Sequence, residues 1–436
     1  MSVSAIDTEL LERAVRGLPG DFLTPLRKEA AARFAETGFP TTRHEDWRYT
    51  SLAPAIELSN LWLRESAPAE ADARPSEVVR IFAADLARKI DAHWIVVANG
   101  VVDNESLARL NDQVLPGFRA VSVAGHSTTR PMTGDEPMTR FNTALLRDLL
   151  HVTIGAECSL DKPVGLLMID DADSAATLSQ ARAIVEVAPN ARAEFIEYHA
   201  SLGANSHFAN VVTELRLAPG AAVDYVRIQN RDPAHYQVGR TIAELGRDTT
   251  LRHAAFDLGG ALVRNDLSID IAHPGACVEL YGLYLASGRQ HIDNHTRVDH
   301  RVGPATSSEE YRGILSDRAR CVFNGKAIVH KGADGTDARQ ANHNLLLSSR
   351  AEVDTKPELE IYADDVKCSH GATVGQLDKN ALFYLRSRGL DREDAAKMLT
   401  RAFAATIVAL SPVRNAQSHI EALIDERLQV IVGEPA

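Results

Sequence analysis

Near the C-terminal end, Cys368 and His370 stand two residues apart in the run Tyr362-Ala363-Asp364-Asp365-Val366-Lys367-Cys368-Ser369-His370-Gly371. On an extended strand such positions point the same way, and thiolate and imidazole are both good ligands for iron or an iron–sulfur cluster. A cluster needs about four ligands, so the pair is either half of a site shared with another chain or a buried thiol beside a hydrogen-bonded histidine. Farther upstream, His291, Asp293 and His295 alternate onto one strand face within His291–His300. They could ligate a metal, but a polar, solvated β face accounts for them as simply. The adjacent carboxylates Asp364-Asp365 are what a carbohydrate-active β-helix enzyme, the alternative function for such a chain, would recruit. On a strand they would point to opposite faces and could not flank one glycosidic bond.

Other chemistry is sparse. There is no phosphate-binding GxxxxGK[ST] loop, no GxSxG elbow, no HExxH and no GxGxxG opening a helix. Cys158, Cys277 and Cys321 lie far from one another and from Cys368, with no CxxC pair. They read as structural thiols rather than as a disulfide framework or zinc site. A self-sufficient metalloprotein is therefore disfavoured by ligand count.

The elements that must position Cys368 and His370 fall into three stretches. Over residues 1–150 the texture is helical and mixed. Leu10, Leu11, Ala14, Val15 and Leu18 share one helix face, and Ala30, Ala31 and Phe34 continue a second helix stopped by Gly38 and Pro40. Residues 95–98 before Asn99-Gly100 read as a strand entering a tight turn, while 64–77 and 126–137 read as connecting loops, the former mobile. Over 151–376 short apolar alternations such as Leu267/Ile269/Ile271 predict many strands. A turn followed by a small residue recurs at Gly155-Ala156, Asn190-Ala191, Gly220-Ala221 and Gly275-Ala276, at spacings of 35, 30 and 55 residues. The last spacing spans two steps, with Gly246-Arg247-Asp248 between. Such periods signal a propeller, a solenoid of hairpins or a β-helix. Without a Trp-Asp blade motif or long strands, a β-helix is favoured, with helical segments covering its ends. Over 377–436 helices return: one stops at Gly389, a second is capped by Asp391 and ended by Pro412, and a third carries Ile420, Leu423, Ile424 and Leu428. Their length and Ala-rich faces at Ala395, Ala402 and Ala405 exceed what capping one coil requires, which predicts a docking surface for a partner.

Across 436 residues, Lys+Arg 47 against Asp+Glu 59 gives a net charge of −12, without a basic block. Nucleic acid and anionic membranes are poor partners for such a chain. No apolar run approaches the ~20 residues of a membrane span, and the N-terminus shows no leader pattern. A cytoplasmic location is expected.

Three motifs carry a resemblance. Phe39-Pro40-Thr41-Thr42-Arg43-His44-Glu45-Asp46-Trp47-Arg48-Tyr49-Thr50 is similar to the N-terminal motif of the SufB/SufD family of the SUF iron–sulfur cluster assembly complex. Tyr311-Arg312-Gly313 with Phe323-Asn324-Gly325 resembles its central β region. Cys368-Ser369-His370-Gly371-Ala372-Thr373-Val374-Gly375, followed by Leu385-Arg386-Ser387-Arg388-Gly389, resembles its C-terminal motif. SufB-type members carry acidic residues on both sides of the motif histidine and a scaffold cysteine upstream. Here Ser369 and Gly371 flank His370, and 340–348 contains no cysteine, which favours the SufD branch.

The resemblance implies a mainly β fold, a right-handed parallel β-helix between helical segments. It implies a non-catalytic scaffold that pairs with SufB through the β-helix and binds the SufC ATPase through its C-terminal helices. It also places His370 at the SufB interface, with Cys368 the weaker candidate, handling iron or a nascent cluster that is transient, shared with SufB and not held tightly by this chain alone. Whether the isolated chain forms a homodimer is left open.

Overall fold

The computed structural model describes residues 6–65, 75–113, 115–122, 129–132, 134–173 and 176–433. Residues 66–74 of the expected loop at 64–77, and residues 126–128 and 133 of that at 126–137, lie outside the described residues.

Strands from β4 (Leu150–Ile154) to β19 (Val366–Gly375) alternate between two sheets. From β5 (Val164–Asp171) on, the odd-numbered strands follow one another in sequence order through one sheet to β19, and the even-numbered strands run from β4 to β18 (Glu352–Ile361) through the other. Neighbouring coils pair in parallel and without slippage over long stretches, as in β13 (Cys277–Ala286) against β15 (Thr306–Leu315). This is a parallel β-helix, a stack in which each coil satisfies the backbone of the next. The strand at 95–98 is β1 (His93–Ala98), which turns at Asn99-Gly100 and pairs in parallel with β5 (Val164–Asp171), so the odd sheet begins before residue 150.

The recurrent turns are one stacked corner. Glu157, Asn190, Gly220, Asp248 and Gly275 all take left-handed φ, and each donates its N–H to the following coil, at Pro189, Pro219, Arg247, Pro274 and Pro304 respectively. Asn, Asp and Gly recur there because they tolerate φ > 0 at low cost; the first corner departs from this, since Glu157 takes it two residues beyond the expected Gly155.

Between the sheets lies an interior lined by alternate side chains of both, including Leu166, Phe195, Val223, Leu251, Leu267 and Phe323. The outer faces are also apolar, and helices cover them. α8 (Arg392–Ala409) and α9 (Arg414–Gly433) lay Ala404, Ile407, Ile420, Ile424 and Leu428 along Ile196, Ile228, Phe256 and Leu283 of the odd sheet. α1 (Thr8–Arg16), α2 (Thr24–Thr37) and α3 (Ala53–Glu65) cover Leu178, Phe208, Val238 and Leu262 of the even sheet.

The expectation that terminal helices cover the two ends is thus corrected. The first coils are closed by α5 (Asn104–Asn111), whose Leu107 and Leu110 join the interior core, but the terminal helices laminate the sides. At the other end, β18 (Glu352–Ile361) and β19 are the last strands of their sheets, and neither contains a buried residue.

Candidate functional site

Cys368 and His370 lie on β19, in the final coil. In register, Cys368 pairs with Ala338 and His370 with Gln340 of β17 (Thr336–Leu346). Ala338 and Gln340 are buried, interior-facing positions. The alternation therefore sets both Cys368 and His370 on the interior side of a coil that nothing covers, as the two-residue spacing requires. His370 is exposed and Cys368 partly buried. Burial pushes the Cys368 thiol up from its ordinary value and nearby Asp337 adds to this, outweighing the backbone at Ala338, so the thiol is protonated at neutral pH. Among the described residues no group of three or more His, Cys, Asp or Glu side chains gathers here or elsewhere in a metal-binding arrangement.

The second candidate cluster is otherwise employed. His291, Asp293 and His295 do share the outer face of β14 (His291–His300), but that face is not solvated. The segment containing His44-Glu45-Asp46-Trp47 crosses it as a strap. Thr50 Oγ1 donates to Asp293 and meets His291 Nε2 at 2.7 Å, and His295 lies 3.0 Å from Asp293. Arg264 donates to Asp293 (2.6 Å), to the Asp46 carbonyl (2.7 Å) and to Asp266, with its guanidinium 4.3 Å from the Trp47 ring centre. Burial by itself would raise Asp293, but Arg264 and His295 outweigh it and hold the carboxyl well below 3.8. Asp364 and Asp365 lie in the turn between β18 and β19 rather than on a strand.

The two open edges differ. β18 carries Glu352, Asp354, Lys356, Glu358 and Glu360, with Pro357 in its middle, which is how edges are made unattractive to another strand. β19 is ten residues long, with Lys367 its one charged side chain apart from any charge on His370, and no proline. A polar–apolar surface continues from it. Val374 is exposed, as are Phe383 (75 %) and Tyr384 on α7 (Lys379–Ser387) and Met398 (56 %) on α8. Met398, Ala402, Ala405 and Ala409 recur at helical spacing on the solvent side of α8, whereas Ala395 is buried.

Sequence reasoning missed two features. One is Arg264 as the anchor of the strap. The other is a pair of buried polar side chains, Glu309 and Gln340, lying beneath His370 in the same register column. Interior polar residues at period two inside strands had been signal enough, had the coil register been known.

A helix-flanked parallel β-solenoid with one open end defines a class of proteins whose last coil offers strand edges to another chain. Residues 13–166 match the SufBD protein N-terminal region, and residues 168–403 match the SUF system FeS cluster assembly, SufBD core domain. The chain belongs to the SufB/SufD family of iron–sulfur cluster assembly proteins, on its SufD-like side. It is 30 % identical to the iron–sulfur cluster assembly protein SufD of Escherichia coli over 93 % of both chains. It is also 30 % identical to an iron–sulfur cluster assembly SufBD family protein of Synechocystis, over 97 % of this chain and 96 % of the relative. SufD of Bacillus subtilis is 24 % identical over 68 % of each. Membership gives the chain a role in iron–sulfur cluster assembly. Among the described residues no helix is long and apolar enough to cross a membrane.

Proposed function

We propose that the chain is a non-enzymatic scaffold subunit of a cytoplasmic SUF complex. It pairs with SufB through the open coil of its β-helix, holds the SufC ATPase through its C-terminal helices, and shares iron or a nascent cluster with SufB at His370 and, secondarily, Cys368. The observation that carries this reading is the open coil itself. A ten-residue strand edge free of proline and nearly free of charge stands beside half a ligand set. Strand addition at β19 would cover both, and the missing ligands would come from the added chain. A hydrolytic site would instead need converging acid–base groups, and the one adjacent carboxylate pair singled out for that role sits in an exposed turn.

The test is edge blocking. Gly371 and Gly375 have nothing within 4 Å of an added Cβ, so Gly371→Lys with Gly375→Lys puts charge on the β19 edge without disturbing the chain's own packing. Co-expressed with SufB and SufC, this variant should lose SufB on purification while keeping SufC and an unchanged unfolding midpoint. Capture of SufB at full strength would refute the assignment of this edge.

A further inference from the structure

The interior of the β-helix is rich in polar side chains, and many of them are paired. Glu197 accepts from Thr213 Oγ1 (2.9 Å), His199 and Tyr225; Tyr284 donates to Asn344 (2.6 Å) and accepts from Asn342 (3.0 Å). One register column of the odd sheet departs from this pattern. It reads His253, Leu280, Glu309, Gln340, His370 on successive coils. His253 makes no hydrogen bond but stacks on Tyr225, with ring centres 5.4 Å apart and planes 8° from parallel. Leu280 then closes the column with an apolar floor.

Above that floor the next two positions are orphans. Glu309 is 4 % and Gln340 6 % exposed. Both carboxyl oxygens of Glu309 and both amide atoms of Gln340 lack a partner in full hydrogen-bond geometry among the described residues, although Thr296 and Gln340 stand close enough to Glu309 to favour its charged form. Burial pushes the Glu309 carboxyl up to about 7, against the lesser effects of Thr296 and Gln340, which face it. The opposite wall is cut away to admit it. A Cβ on Gly325 would fall 3.1 Å from Glu309 Oε2 and 2.9 Å from the Phe323 ring.

Two adjacent buried polar groups without well-formed hydrogen bonds are costly to a folded chain, and leucine in either place would continue the core begun by Leu280. Such a cost is tolerated where a site is being held. Coils are about 4.8 Å apart, so the amide of Gln340 lies one step beneath the His370 ring and Glu309 one step beneath Gln340.

We propose that Gln340 and Glu309 are positioning residues for the metal-handling end. When the partner covers the last coil, the inner ring nitrogen of His370 becomes the hydrogen-bond partner that Gln340 lacks in the free chain, and Glu309 holds the Gln340 amide in turn. Metal-bound histidines are ordinarily fixed in this way through their second nitrogen, and loss of that support costs about 10–100-fold in metal affinity or activity. The inference rests on the reading of His370 given above and extends it inward by two coils. The bound species is ferrous iron or the nascent cluster.

The test uses the full chain co-expressed with the partner scaffold and the ATPase, in four forms: unmodified, Gln340→Leu, Glu309→Gln and His370→Ala. Complex yield, unfolding midpoint, iron per complex and the absorption and electron paramagnetic resonance spectra of the cluster are measured after anaerobic reconstitution. Gln340→Leu should form the complex with an unchanged or higher midpoint, yet carry about tenfold less cluster, with altered spectra in what remains; a merely structural role would not change the spectra. Glu309→Gln, nearly identical in shape, should change the spectra in the same sense and decides the matter should Gln340→Leu fail to assemble. Unmodified cluster content and spectra in Gln340→Leu, or in Glu309→Gln where the former does not assemble, would overturn the inference if His370→Ala is defective. If His370→Ala is also unaffected, the reading of the open end itself falls.

Discussion

Replacing Arg264 by methionine tests whether the strap that contains the N-terminal motif is held by a buried charge network. Methionine keeps much of the volume and the contact with Trp47 but removes three things: the donors to Asp266, the 2.6 Å bond to Asp293 and the 2.7 Å bond to the Asp46 carbonyl. Asp293 is 1 % exposed, so its charge would remain buried with Thr50, His295 and His291 beside it. Breaking a buried pair from one side costs about 3–5 kcal/mol, a large share of the stability of any domain. The effect has a pH signature. In the unmodified chain Asp293 is held below 3.8, so its contribution is present above that value and lost only as pH falls through its depressed folded value. In the variant burial prevails and the carboxyl rises above 3.8, so the penalty is full at neutral pH and is relieved as pH falls through the raised value. Urea unfolding followed by tryptophan fluorescence at several pH values between about 7 and 4 should show a gap that narrows on acidification. Arg264→Met combined with Asp293→Asn should recover part of the loss. A variant within ~1 kcal/mol of the unmodified chain at pH 7, or a gap independent of pH, would refute the network as the anchor.

Two further outcomes follow from the packing. Deleting 391–436 should give an insoluble or unfolded chain, because α8 and α9 cover Ile196, Ile228, Phe256 and Leu283; Met398→Glu with Ala402→Glu, both on the solvent side, should instead abolish ATPase pull-down at an unchanged midpoint, and full-strength pull-down would move the docking surface elsewhere. Glu197 is held down to about 2 although burial alone would raise it, because His199, Tyr225 and Thr213 bond its charged form. Its stabilisation is therefore present above 4.5 and drains away as pH falls from there toward 2, so Glu197→Gln should flatten that part of the acid-unfolding profile, and a profile of unchanged steepness would count against it.

What was legible from sequence was whatever repeats locally. Asn190, Gly220 and Gly275 announce the coil because φ > 0 restricts residue choice at each corner, and Asp391 announces α8 because its carboxylate accepts from the Asp394 N–H at 2.8 Å. The spacing of Cys368 and His370 gave their common face for the same reason. What could not be read was set by register between coils and by contacts between distant segments. Nothing in His291–His300 marks its outer face as the seat of Thr50, which lies 241 residues from His291. Nothing local to Glu309 or Gln340 places them under His370 either, since their alignment depends on the length of every intervening turn. The helices read from the sequence were placed wrongly, because an apolar stripe shows that a helix is covered without showing by what, and α3 and α5 were not read at all.

The corrected placement of those helices bears on how the chain works. Strands of a two-sheet coil have two faces to bury, and in β7 (Arg192–Leu202) both alternations are apolar or paired, with Ile196 and Tyr198 outward and Phe195 and Glu197 inward. Lateral helices are therefore an obligation of the composition, and chain spent on the sides is not available to close the end. α5 closes the first coils, where β1 and the antiparallel β2 (Val101–Val102) begin the odd sheet. At the last coil the sequence changes character: β17 still alternates buried with half-exposed residues, whereas β19 presents small and polar ones to solvent. An edge that a monomer needed to hide would be shortened or charged, as β18 is. β19 is neither, and its interior-facing positions hold a thiol and an imidazole where the coils before it hold Ala338 and Gln340. The helices that leave this edge open while binding the odd sheet along its length also tie α8 to β15, where Arg312 donates to the Phe403 carbonyl at 3.1 Å. That bond joins α8 to the strand that carries Glu309, two strands of the odd sheet from the one that carries His370.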